Sequence, residues 1–130
     1  NFDKAKAKSN AEDAITKYKD LQCMVGLFAY NSPSCIDAIK EAGKLDQIKI
    51  CGFDEQDALL QAIADGNAYG TISQQPWEYG YESIKMLKNI HEGNSPTSTY
   101  QEVAFLEVTK ENIDEFWAKK KEMAELGKSE

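Results

Sequence analysis

Ile48-Lys49-Ile50-Cys51-Gly52-Phe53-Asp54-Glu55 decides the fold: an apolar strand runs into a polar junction just where a helix begins. The same pattern recurs at Phe28-Ala29-Tyr30-Asn31-Ser32-Pro33 and at Thr71-Ile72-Ser73-Gln74-Gln75-Pro76. Each stretch is expected to deliver one planar polar side chain, Asn31, Asp54 or Gln74, at a strand C-terminus. In an open parallel α/β sheet, ligands sit in the crevice beyond those strand ends. The three side chains are therefore expected to converge on one small polar ligand. Amides and a carboxylate offer paired donors and acceptors that suit neighbouring hydroxyls, as on a sugar ring.

The segments on either side supply the remaining elements. From about Asp3 to Lys19, Ala7, Ala11, Ala14, Ile15 and Tyr18 recur at helical spacing. Asp3 is the expected N-cap, with Phe2 stapled to the first turn. Met24 to Ala29 is a continuous apolar run, the pattern of a strand covered on both faces. Asn31 or Ser32 then caps a helix with Pro33 at its first position and Gly43 as its stop. A helix from about Glu55 to Asp65 ends at Gly66, and Tyr69 to Ser73 forms a third strand. Pro76 opens a longer helix through His91, with Trp77, Ile84, Leu87 and Ile90 on one stripe. Glu102 to Val108 alternates as a strand, and a charged helix runs from Lys110 or Glu111 to about Leu126. Alternating strands and helices imply right-handed crossovers and a parallel sheet.

Composition narrows the function classes. The 130 residues carry a net charge of -7, which argues against a nucleic-acid or anionic-membrane surface. No apolar run approaches the roughly 20 residues that span a bilayer. The chain opens on Asn1-Phe2-Asp3 without Met, as a mature product or excised piece would, so a missing signal peptide does not bear on export. Cys23, Cys35 and Cys51 lack metal-ligand spacing and read as buried thiols acting as small hydrophobes. His91, the single histidine, complements a helix C-terminus rather than serving as a base. No Gly-rich phosphate loop, metal cluster or activated nucleophile is evident, so neither catalytic residues nor a cofactor are expected.

Each candidate also has a plain local reading. Asp54 is a natural N-cap for the next helix, and Asn31-Ser32-Pro33 is a good helix start without any ligand. Gln74 has no equally good local explanation, because Gln caps poorly. Trp77, Tyr79 and Tyr81 could stack on a sugar face, but a helical stripe more often packs into a core. Lys119, Lys120 and Lys121 read as a solvated helix face.

The junctions, taken together, resemble the C-terminal part of type I periplasmic sugar-binding proteins, the ribose-binding-protein group that serves ABC transporters. The resemblance rests on Gly26-Leu27-Phe28-Ala29-Tyr30-Asn31, Ala38-Ile39-Lys40-Glu41-Ala42-Gly43-Lys44, Cys51-Gly52-Phe53-Asp54, Ala62-Ile63-Ala64-Asp65-Gly66 and Thr71-Ile72-Ser73-Gln74-Gln75-Pro76. Tyr79-Gly80-Tyr81 and Val108-Thr109-Lys110-Glu111-Asn112-Ile113-Asp114 carry it nearly to the end. It implies a three-layer, doubly wound α/β fold in which Asn31, Asp54 and Gln74 are hydroxyl-binding positions. The family often has Asp after the Asn, where this chain has Ser32, a departure from the ribose and galactose pattern.

Family members are about twice this length, with two lobes. The resemblance thus implies that residues 1–74 and 100–130 form a second lobe lacking its first strand-helix unit. Residues 75–99 would belong to the first lobe. It further implies an exported, periplasmic solute-binding protein whose signal peptide lies outside this chain. Its partners would be a monosaccharide or similar polyol and a membrane permease, with no nucleic acid and no membrane insertion. The chain alone is expected to form a homodimer. An alternative is the effector domain of a lac-repressor-type transcription regulator, which shares the fold and would carry a helix-turn-helix upstream. A response-regulator receiver with Asp54 as phosphoacceptor would need an acidic metal-binding pair after an earlier strand, and none follows the strand ending at Tyr30.

Overall fold

A computed structural model describes residues 3–128, so the expected Phe2 staple lies outside the described residues. In chain order the elements are α1 (Lys4–Lys17), β1 (Cys23–Gly26), α2 (Asn31–Glu41), β2 (Lys49–Phe53), α3 (Asp57–Ala64), β3 (Gly70–Ser73), α4 (Pro76–His91), β4 (Leu106–Thr109) and α5 (Ile113–Leu126). The four strands form one sheet in the order β1-β2-β3-β4. β1 and β2 run parallel with Met24 beside Ile50, and β2 and β3 run parallel with Gly52 beside Thr71. This is the expected α/β architecture.

Two compact units divide the chain. One holds the residues up to Ser73 and from Glu107 onward, and the other is Gln74–Leu106. The core of the first is aliphatic: Ile39 from α2, Ile48 and Ile50 around β2, Leu59, Leu60 and Ile63 from α3, and Val108 from β4 are almost wholly buried. Each such side chain contributes roughly 1.5–3 kcal/mol by leaving water. In the second unit, α4 buries none of its residues. The stripe read as core packing is therefore exposed: Trp77, Tyr79, Tyr81, Ile84, Leu87 and Ile90 all face solvent.

Helix ends follow the expected signals in part. Asp3 accepts a hydrogen bond from the Lys6 amide at 2.9 Å, as an N-cap should. Gly43, Gly66 and Gly93 have positive φ just past the ends of α2, α3 and α4. α2 departs from expectation: its N-cap is Tyr30, Asn31 is its first residue and Pro33 its third. Pro is still tolerated there, because none of the first four amides has an intrahelical acceptor.

The sheet corrects four further expectations. β1 stops at Gly26, and Leu27 and Phe28 beyond it are exposed. β1 is an edge strand whose Cys23 and Val25 face solvent, so it is not covered on both faces. Cys23 is accordingly exposed, while Cys35 and Cys51 are only half-buried; burial raises the pKa of both of the latter thiols. β4 begins only at Leu106. Upstream of it, the Ala104 carbonyl accepts from Gln75 Nε2 at 2.8 Å instead of from a ladder partner.

Close packing of α2 on the sheet depends on two glycines. A Cβ at Gly26 would lie 2.2 Å from Ser32 Oγ and 2.6 Å from the Ser32 backbone nitrogen. One at Gly52 would lie 2.4 Å from a Leu59 methyl and 2.7 Å from Ser32 Oγ. Ser32 itself is fully buried between them. Gly26→Ala should therefore destabilise the chain by about 1–3 kcal/mol, because the opposing atoms include the Ser32 backbone, which cannot swing away as its hydroxyl can. A urea unfolding curve should show a lower midpoint at constant slope; an unmoved midpoint would contradict this packing.

Candidate functional site

The C-terminal ends of β1 and β2 face a concavity of about 640 Å³, bordered by Phe28, Tyr30, Pro33, Asp37, Asp54 and Gln56. It is assembled from the loop between β1 and α2, the turn between β2 and α3, and the N-terminal half of α1, which supplies Lys4 and Lys8. Phe28 and Tyr30 lie nearly parallel, with ring centroids 6.2 Å apart and planes 7° from coplanar. Sequence reading did not single out these two rings. Their one signal was their place in the same junction as Asn31.

Asp54 is half-buried and borders this concavity. It is not the cap of α3: that position is Gln56, two residues on. Its backbone instead adopts φ 67°, the left-handed region that non-glycine residues enter at a cost of roughly 1–2 kcal/mol. β3 holds it there. The Asp54 amide donates to the Ile72 carbonyl at 2.9 Å. The Asp54 carbonyl accepts from Thr71 Oγ1 at 2.7 Å. Such over-determined strain clusters at functional sites.

Asn31 opens α2, its amide donating to the Phe28 carbonyl at 2.8 Å. Its side-chain Oδ1 is buried and has no hydrogen-bond partner among the described residues. A buried acceptor left unpaired costs about 1–3 kcal/mol, so this oxygen is suited to an incoming donor. Ser32 packs against Gly26 and Gly52, and of the three expected ligand residues Asp54 is the one that borders the concavity, which neither Asn31 nor Gln74 lines. Gln74 follows the last residue of β3, is exposed, and begins the second unit.

Charged groups surround the Asp54 turn. Burial raises the pKa of the Glu55 carboxyl, opposed by a hydrogen bond from Ser73 and by Lys120, while the Asp54 charge adds to the rise. Lys120 is not simply solvated, as its place in a lysine run implied. Its Nζ donates to the Glu55 carbonyl at 2.6 Å and to Asp57 Oδ1 at 2.5 Å. His91 is the exposed last residue of α4. Among the described residues no group of three or more His, Cys, Asp or Glu could share a metal ion. No described helix is long and apolar enough to cross a membrane.

Similarity to known proteins bears on this geometry. No curated protein sequence matches the chain. Among solved structures, the arabinose-binding protein AraP of Geobacillus stearothermophilus superposes with a TM-score of 0.79 at 24% identity over 88% of this chain. A solute-binding protein of an ABC transporter from Agrobacterium vitis, solved with bound D-fucose, gives 0.78 at 26% identity over 89%. GanP, a glucose-galactose binding protein of G. stearothermophilus, gives 0.77 at 20% identity over 85%. The chain spans 42%, 40% and 39% of those three structures, respectively. A family model described as periplasmic binding protein domain matches residues 1–95, nearly three-quarters of the sequence. With its sheet order and its polar strand ends, the chain belongs to the periplasmic binding protein domain family, whose members are exported binding proteins.

Proposed function

We propose that this chain is the ligand-contacting part of the second lobe of an ABC-importer solute-binding protein that takes a monosaccharide or similar polyol. Residues 1–74 and 100–130 belong to that lobe, which lacks its first strand-helix unit, and residues 75–99 belong to the opposite lobe. Asn31, Asp54 and Gln74 bind hydroxyls. The observation that carries this reading is Asp54: a carboxylate on a strained backbone, pinned by β3 at the mouth of a concavity. The unpartnered Asn31 Oδ1 adds a buried acceptor at the start of α2. Relatives solved with D-fucose and D-allose support a sugar as the ligand class.

Ligand would bridge the two lobes and stabilise their closed form, which a membrane permease then recognises. Binding is the whole task, and no turnover is expected. The test is calorimetry on the complete two-lobed protein against a panel of pentoses and hexoses. Saturable binding of at least one sugar is expected, and silence across the panel would overturn the reading. Sugar incubated with this chain should be recovered chemically unchanged by chromatography. Conversion abolished by Asp54→Asn would show an enzyme instead. On its own, the chain should form a homodimer.

A further inference from the structure

We infer that Lys120, far along the sequence in α5, is a positioning residue for the ligand site: it clamps the turn that presents Asp54. The inference rests on the sugar-binding reading given above. The juxtaposition behind it is direct. Three backbone groups around Asp54 are held from outside the turn: its amide by Ile72, its carbonyl by Thr71, and the next carbonyl, of Glu55, by Lys120 Nζ. The first two come from β3. The third comes from α5, and the same ammonium also reaches Asp57, the first residue of α3. Lys120 therefore ties the two ends of the Glu55-Gln56-Asp57 connection together, directly behind a residue at φ 67°.

The ion pair alone would be a weak brace. Asp57 is three-quarters exposed, and surface pairs contribute little. The hydrogen bond to the Glu55 carbonyl is different, being partly buried and charge-assisted. Trp117, one helical turn before Lys120 on α5, places its ring 5.3 Å from Nζ and limits where the ammonium can go. The lysine run is thus not uniform: its middle member is half-buried, and its neighbours Lys119 and Lys121 are exposed.

Lys120→Met keeps the aliphatic stem and removes the donor. In the complete protein it should weaken sugar affinity roughly fivefold to tenfold, although Lys120 touches no ligand. In this chain, without sugar, it should speed hydrogen exchange of the Asp54 amide and shift its NMR resonance. Lys120→Arg should restore both, since a guanidinium can still span a carbonyl and a carboxylate, and Lys121→Met should change neither. Wild-type affinity in Lys120→Met, or an Asp54 amide unmoved by it, would overturn the inference. If wild-type protein binds no sugar, the binding reading falls, and the Asp54 amide alone decides whether the clamp exists.

Discussion

Asp54→Ala is expected to weaken sugar binding by the complete protein at least tenfold, and Asp54→Asn nearly as much. With Asp54 in the proposed role, each removes a charge-assisted hydrogen bond to a ligand hydroxyl, worth roughly 1.5–3 kcal/mol. The two differ in what they do to the ligand-free chain. At φ 67° an Asn fits about as well as Asp, whereas Ala does not. Asp54→Ala should therefore also lower the thermal midpoint, and Asp54→Gly should raise it by roughly 4 °C if about 1 kcal/mol of backbone strain is released. Calorimetry and thermal melts on the three variants separate the roles of side chain and backbone. Undiminished affinity in Asp54→Asn would remove Asp54 from the site. A lower midpoint in Asp54→Gly would mean that the turn is not strained.

The position of Asp54 was legible in the sequence, but its conformation was not. Ile50 to Phe53 announces a strand, Gly52 marks a close backbone approach, and Leu59, Leu60 and Ile63 announce the helix that follows. Nothing local to residues 52–57 states that Asp54 turns left-handed, because that φ is imposed by Thr71, Ile72 and Lys120. Read locally, Asp54 looked like a cap; the cap position falls on Gln56 instead. Lys120 was hidden for the same reason: three consecutive lysines look alike until α5 is laid beside α3. Edge effects account for the other misses. Met24 to Ala29 reads as a buried strand because hydropathy does not reveal a strand's neighbours, and β1 has β2 on one side only. The Trp77-to-Ile90 stripe was read correctly as a helix but assigned a core that α4 does not meet in this chain.

That unmet stripe leads to the second large effect. α4 is a helix of 16 residues with none buried. An isolated helix of about this length is marginal in water, so most of its stability must come from covering its apolar face. Ile84 and Leu87, 68% and 62% exposed, sit three residues apart on one face, with Ile90 continuing the line and Trp77 and Tyr81 on earlier turns. A contiguous apolar strip of this kind marks an interaction surface. In a complete two-lobed protein, other segments would cover it. In this chain by itself, a second copy is the available cover, and a closed pair would follow a two-fold axis. Light scattering across a dilution series should therefore show a dimer that dissociates on dilution. Ile84→Glu with Leu87→Glu should give a monomer whose α4 loses helical signal, while the unit containing Asp54 stays folded. On the proposed two-lobed reading the same dimer carries one wall of the cleft and should bind pentoses and hexoses weakly or not at all. A well-behaved monomer with micromolar sugar affinity would overturn both the pairing of α4 and the assignment of residues 75–99 to an opposite lobe.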